Sequence, residues 1–179
     1  MKVKIGKYPT NRWYHNWLYK NFGYSPDQDV DVRVDSYDTW SMDHTLAHII
    51  VPMLKQLKQT THSAPYVYPE DVPSELRPTK EELSAFTKNG DTDSKFFERW
   101  NWVLDEMIFA FESKNIDWEE QFQSGEVEFV ESTSADGRME WTKGPNHTAK
   151  TDLEGLKAYQ GRITNGFQLF GKYYENLWD

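Results

Sequence analysis

A nearly continuous apolar segment at residues 94–113 constrains this chain more than any other feature. Aromatic and aliphatic side chains cover almost the full circumference that a helix would present there. A helix that is apolar all round lies in the core of a globular protein. The sequence therefore predicts a central helix at residues 94–113, against which other elements pack.

Two further segments, 41–60 and 152–178, have the apolar spacing of long helices, and a shorter helix is predicted just before Gly23. Pro52 lies inside the first of these long helices and predicts a kink there. Glycines recur along residues 152–178, which indicates either close approach of a neighbouring helix or breaks in the helix.

Two patterns of alternating residues predict β-structure. Valine alternates with polar residues at 29–35, which is typical of a strand with one buried face. Alternation on both sides of Asp136-Gly137 predicts a β-hairpin at residues 126–142. We therefore expect an α+β fold, mainly helical, with three long helices and a small β-hairpin or sheet element laid against them.

The length of 179 residues is within the range of one domain, so we expect a single domain over 1–179. Eight Trp, ten Tyr and ten Phe supply the large apolar surface that the few aliphatic residues lack. Four prolines at positions 65–78 predict a long surface excursion at about 61–93, with at most one helical turn at 80–86.

The formal net charge of −9 argues against sequence-independent binding to nucleic acid and against docking on anionic membranes. The chain has no cysteine, which fits a reducing compartment. No stretch reaches the roughly 18 apolar residues of a membrane span. We therefore expect a soluble, cytoplasmic protein.

Two histidines, His44 and His48, are spaced so that both imidazoles point the same way on a helix. With carboxylates they could hold a divalent metal ion, and the candidate ligands are Asp43, His44, His48, Asp105 and Glu112. Such a site would belong to a metal-dependent phosphoester hydrolase. The alternative is that both histidines lie on the polar face of their helix and bond to neighbouring groups.

Three carboxylates, Glu98, Asp105 and Glu112, recur every seven residues on the apolar segment and share one face. If that face is buried, the carboxylates require partners such as the two histidines, Arg33 or a bound cation. The alternative is that they form the stripe of the helix that meets water.

Aromatic residues cluster beside single cations near the N-terminus, and Lys143 lies close to Trp141. Aromatic faces stack on bases, and Arg or Lys binds phosphates, so these residues could bind a nucleotide without a Gly-rich loop. The candidate ligand-binding residues are Arg12, Trp13, Trp17, Arg33, Trp40, His44 and His48. The alternative is that the rings fill the core.

The chain resembles small uncharacterised proteins of tailed bacteriophages and marine viruses. The resemblance depends on DTWSMDHTLAH at 38–48, DEMIFAFE at 105–112 and GFQLFGKYY at 166–174. It implies expression in the cytoplasm of an infected bacterium, as an accessory protein that modifies or blocks host machinery. No catalytic residues come with it.

We therefore expect a non-catalytic protein that binds a small anionic ligand such as a nucleotide. The metal-dependent hydrolase is one alternative. The other is an acidic protein-interaction module that blocks a basic host protein. The sequence is thus compatible with a binding protein and with an enzyme.

Overall fold

A computed structural model describes residues 1–5, 13–24 and 28–178. Its helices are α1 (Trp13–Phe22), α2 (Met42–Thr60), α3 (Lys80–Asn89), α4 (Phe96–Glu112) and α5 (Leu153–Lys172). Its strands are β1 (Lys2–Ile5), β2 (Val30–Arg33), β3 (Gln123–Ser124), β4 (Phe129–Thr133), β5 (Met139–Lys143) and β6 (Lys150–Thr151). The described strands form antiparallel pairs only. The predicted class, α+β and mainly helical with small strand pairs, is confirmed.

The chain divides into two compact units, Met1–Leu46 and Ala47–Asp179, with the boundary inside α2. Strands β1 and β2 pair in the first unit, with Val3 opposite Val32. The expectation of a single domain over 1–179 stays a prediction.

Helix α4 is the centre of the second unit, as its apolar circumference predicts. Its buried residues are Phe96, Arg99, Trp100, Val103, Leu104, Glu106, Met107, Ile108, Ala110 and Phe111. Ala47 and Leu54 of α2 and Leu169 of α5 complete this core from the neighbouring helices. Three of the buried residues of α4, Phe96, Trp100 and Phe111, carry the large aromatic surface that the composition predicts for the core.

Helix α5 begins at the N-cap Asp152, whose side chain accepts a hydrogen bond from the backbone of Gly155. It ends at Lys172, earlier than predicted, and a short 3-10 turn follows at Tyr174–Asn176. At Gly166 the close-approach alternative is correct, because a Cβ there would collide with the Glu106 carbonyl of α4.

The Pro-rich segment is not the surface excursion that we expected. Val67 and Val72 are almost fully buried and belong to the core. The single helical turn expected at 80–86 is the ten-residue helix α3, which begins with a capping box between Thr79 and Glu82. The prolines prevent long elements at 61–79, but they do not prevent this segment from packing.

The predicted hairpin is confirmed as the pair β4 and β5, with Glu131 opposite Trp141. Gly137 has a positive φ of 83° in its turn. Nearly all side chains of both strands are exposed. The pair β3 and β6 was not predicted from the sequence.

Candidate functional site

The predicted ligand-binding residues that the structure describes in the first unit lie at the surface. Trp13 is 84% exposed and Trp40 is 90% exposed, and Trp17 also faces solvent. Arg33 ends β2, where its side chain is exposed and pairs with Asp31 at 3.3 Å. A ligand pocket normally buries most of its ligand, whereas these side chains are largely exposed. Arg12 lies outside the described residues.

The two histidines are both exposed and lie on opposite sides of the unit boundary. His44 is in the first unit, with Nε2 3.9 Å from Oδ2 of Asp43, and His48 is in the second unit. In the described ranges, no three His, Cys, Asp or Glu side chains gather as a metal ion requires. The metal site expected from Asp43, His44, His48, Asp105 and Glu112 therefore stays a prediction.

The acidic line on α4 faces solvent, which is the alternative that the sequence left open. Asp105 pairs with Lys58 at 2.5 Å, and Glu112 pairs with Lys55 at the same distance. Glu98 is exposed. The partners of Asp105 and Glu112 in this structure are thus the lysines of α2, which the sequence analysis did not name. Exposed ion pairs of this kind contribute only about 0–1 kcal/mol.

The buried carboxylate of α4 is Glu106, which the sequence analysis missed. Arg162 of α5 donates to it from Nε and Nη2 at 2.7–3.1 Å. This hydrogen bonding raises the pKa of Arg162 above its usual range. The Arg162 guanidinium also lies 3.7 Å from the centre of the Phe109 ring. The signal that could have found this pair is that Glu106 is in helical phase with the buried residues Val103 and Ala110.

A second missed ion pair anchors the start of α4. Arg99 is buried, and its Nη1 donates to Oδ1 of Asp93 at 3.0 Å and to the carbonyl of Leu76 at 3.1 Å. The hydrogen bonds from Arg99 hold the pKa of Asp93 below its usual value. This pair joins α4 to the Pro-rich segment.

The third missed group connects that segment to the end of α5. The Tyr173 hydroxyl donates to Asp71 at 2.6 Å and accepts from the backbone N–H of Tyr68 at 3.0 Å. Lys172 also reaches Asp71, at 2.6 Å. Burial, together with the bond to Asp71, raises the pKa of Tyr173. All three missed groups join elements of the second unit, and the cavity beside Asp93 and Arg99, at about 10 Å³, is too small for a ligand.

Exposed aromatic side chains are concentrated in the first unit. We call them the N-terminal aromatic set: Trp13, Trp17, Tyr19, Phe22, Tyr24, Tyr37 and Trp40. Among residues 1–5, 13–24 and 28–46, none is buried. On α1, Trp13 and Trp17 are four residues apart and share a face, and the Trp17 ring contacts Phe22 at 5.7 Å between ring centroids.

The second unit contains an apolar groove of about 670 Å³ between α2 and the end of α5. Its lining residues are Ile50, Met53, Leu54, Gln56, Leu57, Thr60, Phe170, Tyr174 and Leu177. None of the predicted site residues is among them. The groove is therefore a feature that the sequence analysis did not reveal.

A further exposed apolar patch lies on the hairpin. Trp141 and Lys143 are both exposed and are two residues apart on β5, so they share one face of the hairpin. Met139 lies on the same face and is also exposed.

Comparison of the chain with protein-family models, curated proteins and solved structures gives no match. The resemblance to proteins of tailed bacteriophages therefore stays a prediction. Across the part of the chain that the structure describes, no helix is both long enough and apolar enough to cross a membrane.

Proposed function

We propose that this protein is a protein-interaction module and that the N-terminal aromatic set contacts the partner. The observation that carries the proposal is the exposure of seven aromatic side chains in a unit whose described residues include none that is buried. Such a unit gains most of its buried apolar surface by binding another protein.

The residue types support a protein partner. Trp and Tyr are enriched at protein–protein interfaces and dominate the binding free energy there. Each ring offers about 150–250 Å² of surface at a small cost in side-chain entropy. Rings exposed to this degree fit a flat protein surface better than a small anionic ligand, whose pocket buries most of the ligand surface.

The charge distribution defines the chemistry of the partner. Residues 1–46 contain six Lys or Arg and six Asp, so the whole net charge of −9 belongs to residues 47–179. Acidic surfaces speed association with basic proteins and select against acidic ones. Because such steering acts between whole molecules, the proposed partner is a protein with an exposed apolar patch and a net positive charge.

Selection from a random dodecapeptide display library tests this proposal. We expect the selected peptides to combine Lys or Arg with aromatic or aliphatic residues. The double variant Trp13→Ser, Trp40→Ser should lose the selection and weaken binding of the best synthetic peptide at least tenfold. The control is Trp141→Ser, which removes another exposed ring, from the hairpin, and should change neither result.

Three outcomes would contradict the proposal. The first is equal selection by the double variant and the wild type. The second is a dimer in solution that the double variant abolishes, because the aromatic set would then contact a second copy. The third is a nucleotide-induced rise in melting temperature that depends on Trp13 and Trp40, because the small-ligand expectation would then be correct.

A further inference from the structure

We infer that the apolar groove between α2 and the end of α5 binds an amphipathic helix with a basic polar face. This second docking site is independent of the proposed function, because it uses other residues in the other unit. Its lining residues extend along α2 from Ile50 to Thr60 and continue on Phe170, Tyr174 and Leu177.

The length of the groove favours a helix. Ten residues of α2 separate the first and last lining positions on that helix, which is about 15 Å at 1.5 Å per residue. The apolar anchors of a docked helix at i, i+3 or i+4, and i+7 span about 10.5 Å. The groove therefore accepts two turns of helix with room at both ends.

The walls of the groove argue against a small apolar molecule. Met53 is 57% exposed and Tyr174 is 65% exposed, so the groove is open along its side. Small-molecule pockets bury about 70–90% of the ligand surface, which an open groove does not achieve. A helix covers such a groove with one face and keeps its other face in water. Methionine suits this role because its flexible side chain adapts to the partner.

The charge of the second unit favours a basic helix as the occupant of the groove. Among the described residues, no charged side chain lines the groove, so the docked face must be apolar. Both lysines of α2 are paired with carboxylates of α4, Lys55 with Glu112 and Lys58 with Asp105. The unit around the groove has the net charge of −9, which repels a second copy or an acidic helix and attracts a basic one.

The probe is a synthetic sixteen-residue peptide with Leu on one helical face and Lys on the other. Fluorescence anisotropy with the full-length protein should give saturable binding at micromolar concentrations. Two control peptides should bind at least tenfold more weakly: one with the same composition but Leu spread around the helix, and one with Glu in place of Lys. Equal binding of the first control would overturn the apolar contact, and equal binding of the second would overturn the charge selection.

Substitutions of lining residues test whether the peptide binds in the groove. Met53→Glu and Tyr174→Glu change exposed lining residues and should each weaken binding at least tenfold without changing the melting temperature. Met139→Glu is the matched control, because it adds the same charge at an exposed methionine of the hairpin. Unchanged binding by both groove variants would overturn the proposal.

Further outcomes separate this site from other occupants and from the proposed function. A dimer in solution that Met53→Glu dissociates would overturn the proposal in favour of a second copy. The Trp13→Ser, Trp40→Ser protein should bind the peptide with Leu and Lys faces (the Lys peptide) as tightly as the wild type does. If that variant loses the Lys peptide while Met53→Glu keeps it, the groove is not the site and the N-terminal aromatic set is.

Discussion

Arg162 of α5 binds Glu106 of α4 through Nε and Nη2, with donor–acceptor distances of 2.7–3.1 Å. Glu106 is buried, whereas about half of the Arg162 side chain is exposed. The arginine therefore supplies a partner to a carboxylate that water hardly reaches. Helices α4 and α5 are held together at this point by a charge pair as well as by apolar contacts.

We predict that Arg162→Ala lowers the free energy of unfolding by about 2–3 kcal/mol, because it leaves a buried carboxylate unpaired. Arg162→Lys should cost about 1 kcal/mol, since lysine keeps the charge but not the bidentate geometry. Urea denaturation at neutral pH measures both. Lys58→Ala serves as the control. It removes the more exposed ion pair between Lys58 of α2 and Asp105 of α4, and it should cost less than about 1 kcal/mol. Equal losses for Arg162→Ala and Lys58→Ala would contradict the distinction between buried and exposed pairs.

Two glycines of α5 should respond in opposite directions to alanine. At Gly166 a Cβ would meet the Glu106 carbonyl and the Ala110 side chain of α4, so Gly166→Ala should cost about 1–3 kcal/mol. At Gly161 no described atom outside its own helix lies within 4 Å of the place that a Cβ would take, so Gly161→Ala should gain about 0.5–1 kcal/mol from helix propensity. Thermal unfolding compares the two variants. A loss of stability at both positions would show that the approach of α4 is not the cause.

The hydroxyl of Tyr173 should contribute to stability independently of the ring, which Tyr173→Phe retains. Tyr173→Phe removes the bonds to Asp71 and to the Tyr68 N–H, and we expect a loss of about 1–3 kcal/mol because these groups are left with fewer partners. Limited proteolysis should then cut the Pro-rich segment faster. Tyr174→Phe is the control, since Tyr174 is exposed and its variant should match the wild type. If both variants behave alike, the hydroxyl does not hold this segment.

The Asp93 carboxyl should contribute to acid sensitivity. Its pKa is lower in the folded protein than in the unfolded chain, because Arg99 donates to the charged form. Its contribution is complete above the unfolded value of about 3.9 and is lost as the pH falls through the folded value. Asp93→Asn should therefore cost about 1–3 kcal/mol at pH 7, and the difference from wild type should shrink below about pH 4. Urea denaturation from pH 7 to pH 3 measures this difference, with the exposed neighbour Asp91→Asn as the control. A difference that does not change with pH would contradict the assignment.

The helices and the hairpin were predictable because their signals are local. The apolar spacing predicted that α4 lies at the centre of the core, and the turn residue Gly137 predicted the hairpin. The acidic line was harder to interpret, because periodicity shows that Glu98, Asp105 and Glu112 share a face but not what that face meets. In the structure the lysines of α2 meet two of them, and Glu106, one residue from Asp105, is the buried carboxylate.

Where the longer helices and the hairpin form could be read from the amino-acid order, because those choices depend on residues within a turn or two of each other. The packed fold was needed to establish which side chains pair, that Val67 and Val72 of the Pro-rich segment are buried, and that a groove exists beside α5. These outcomes depend on which faces of distant segments meet, and a steric contact such as Gly166 against Glu106 is set only when two helices have packed.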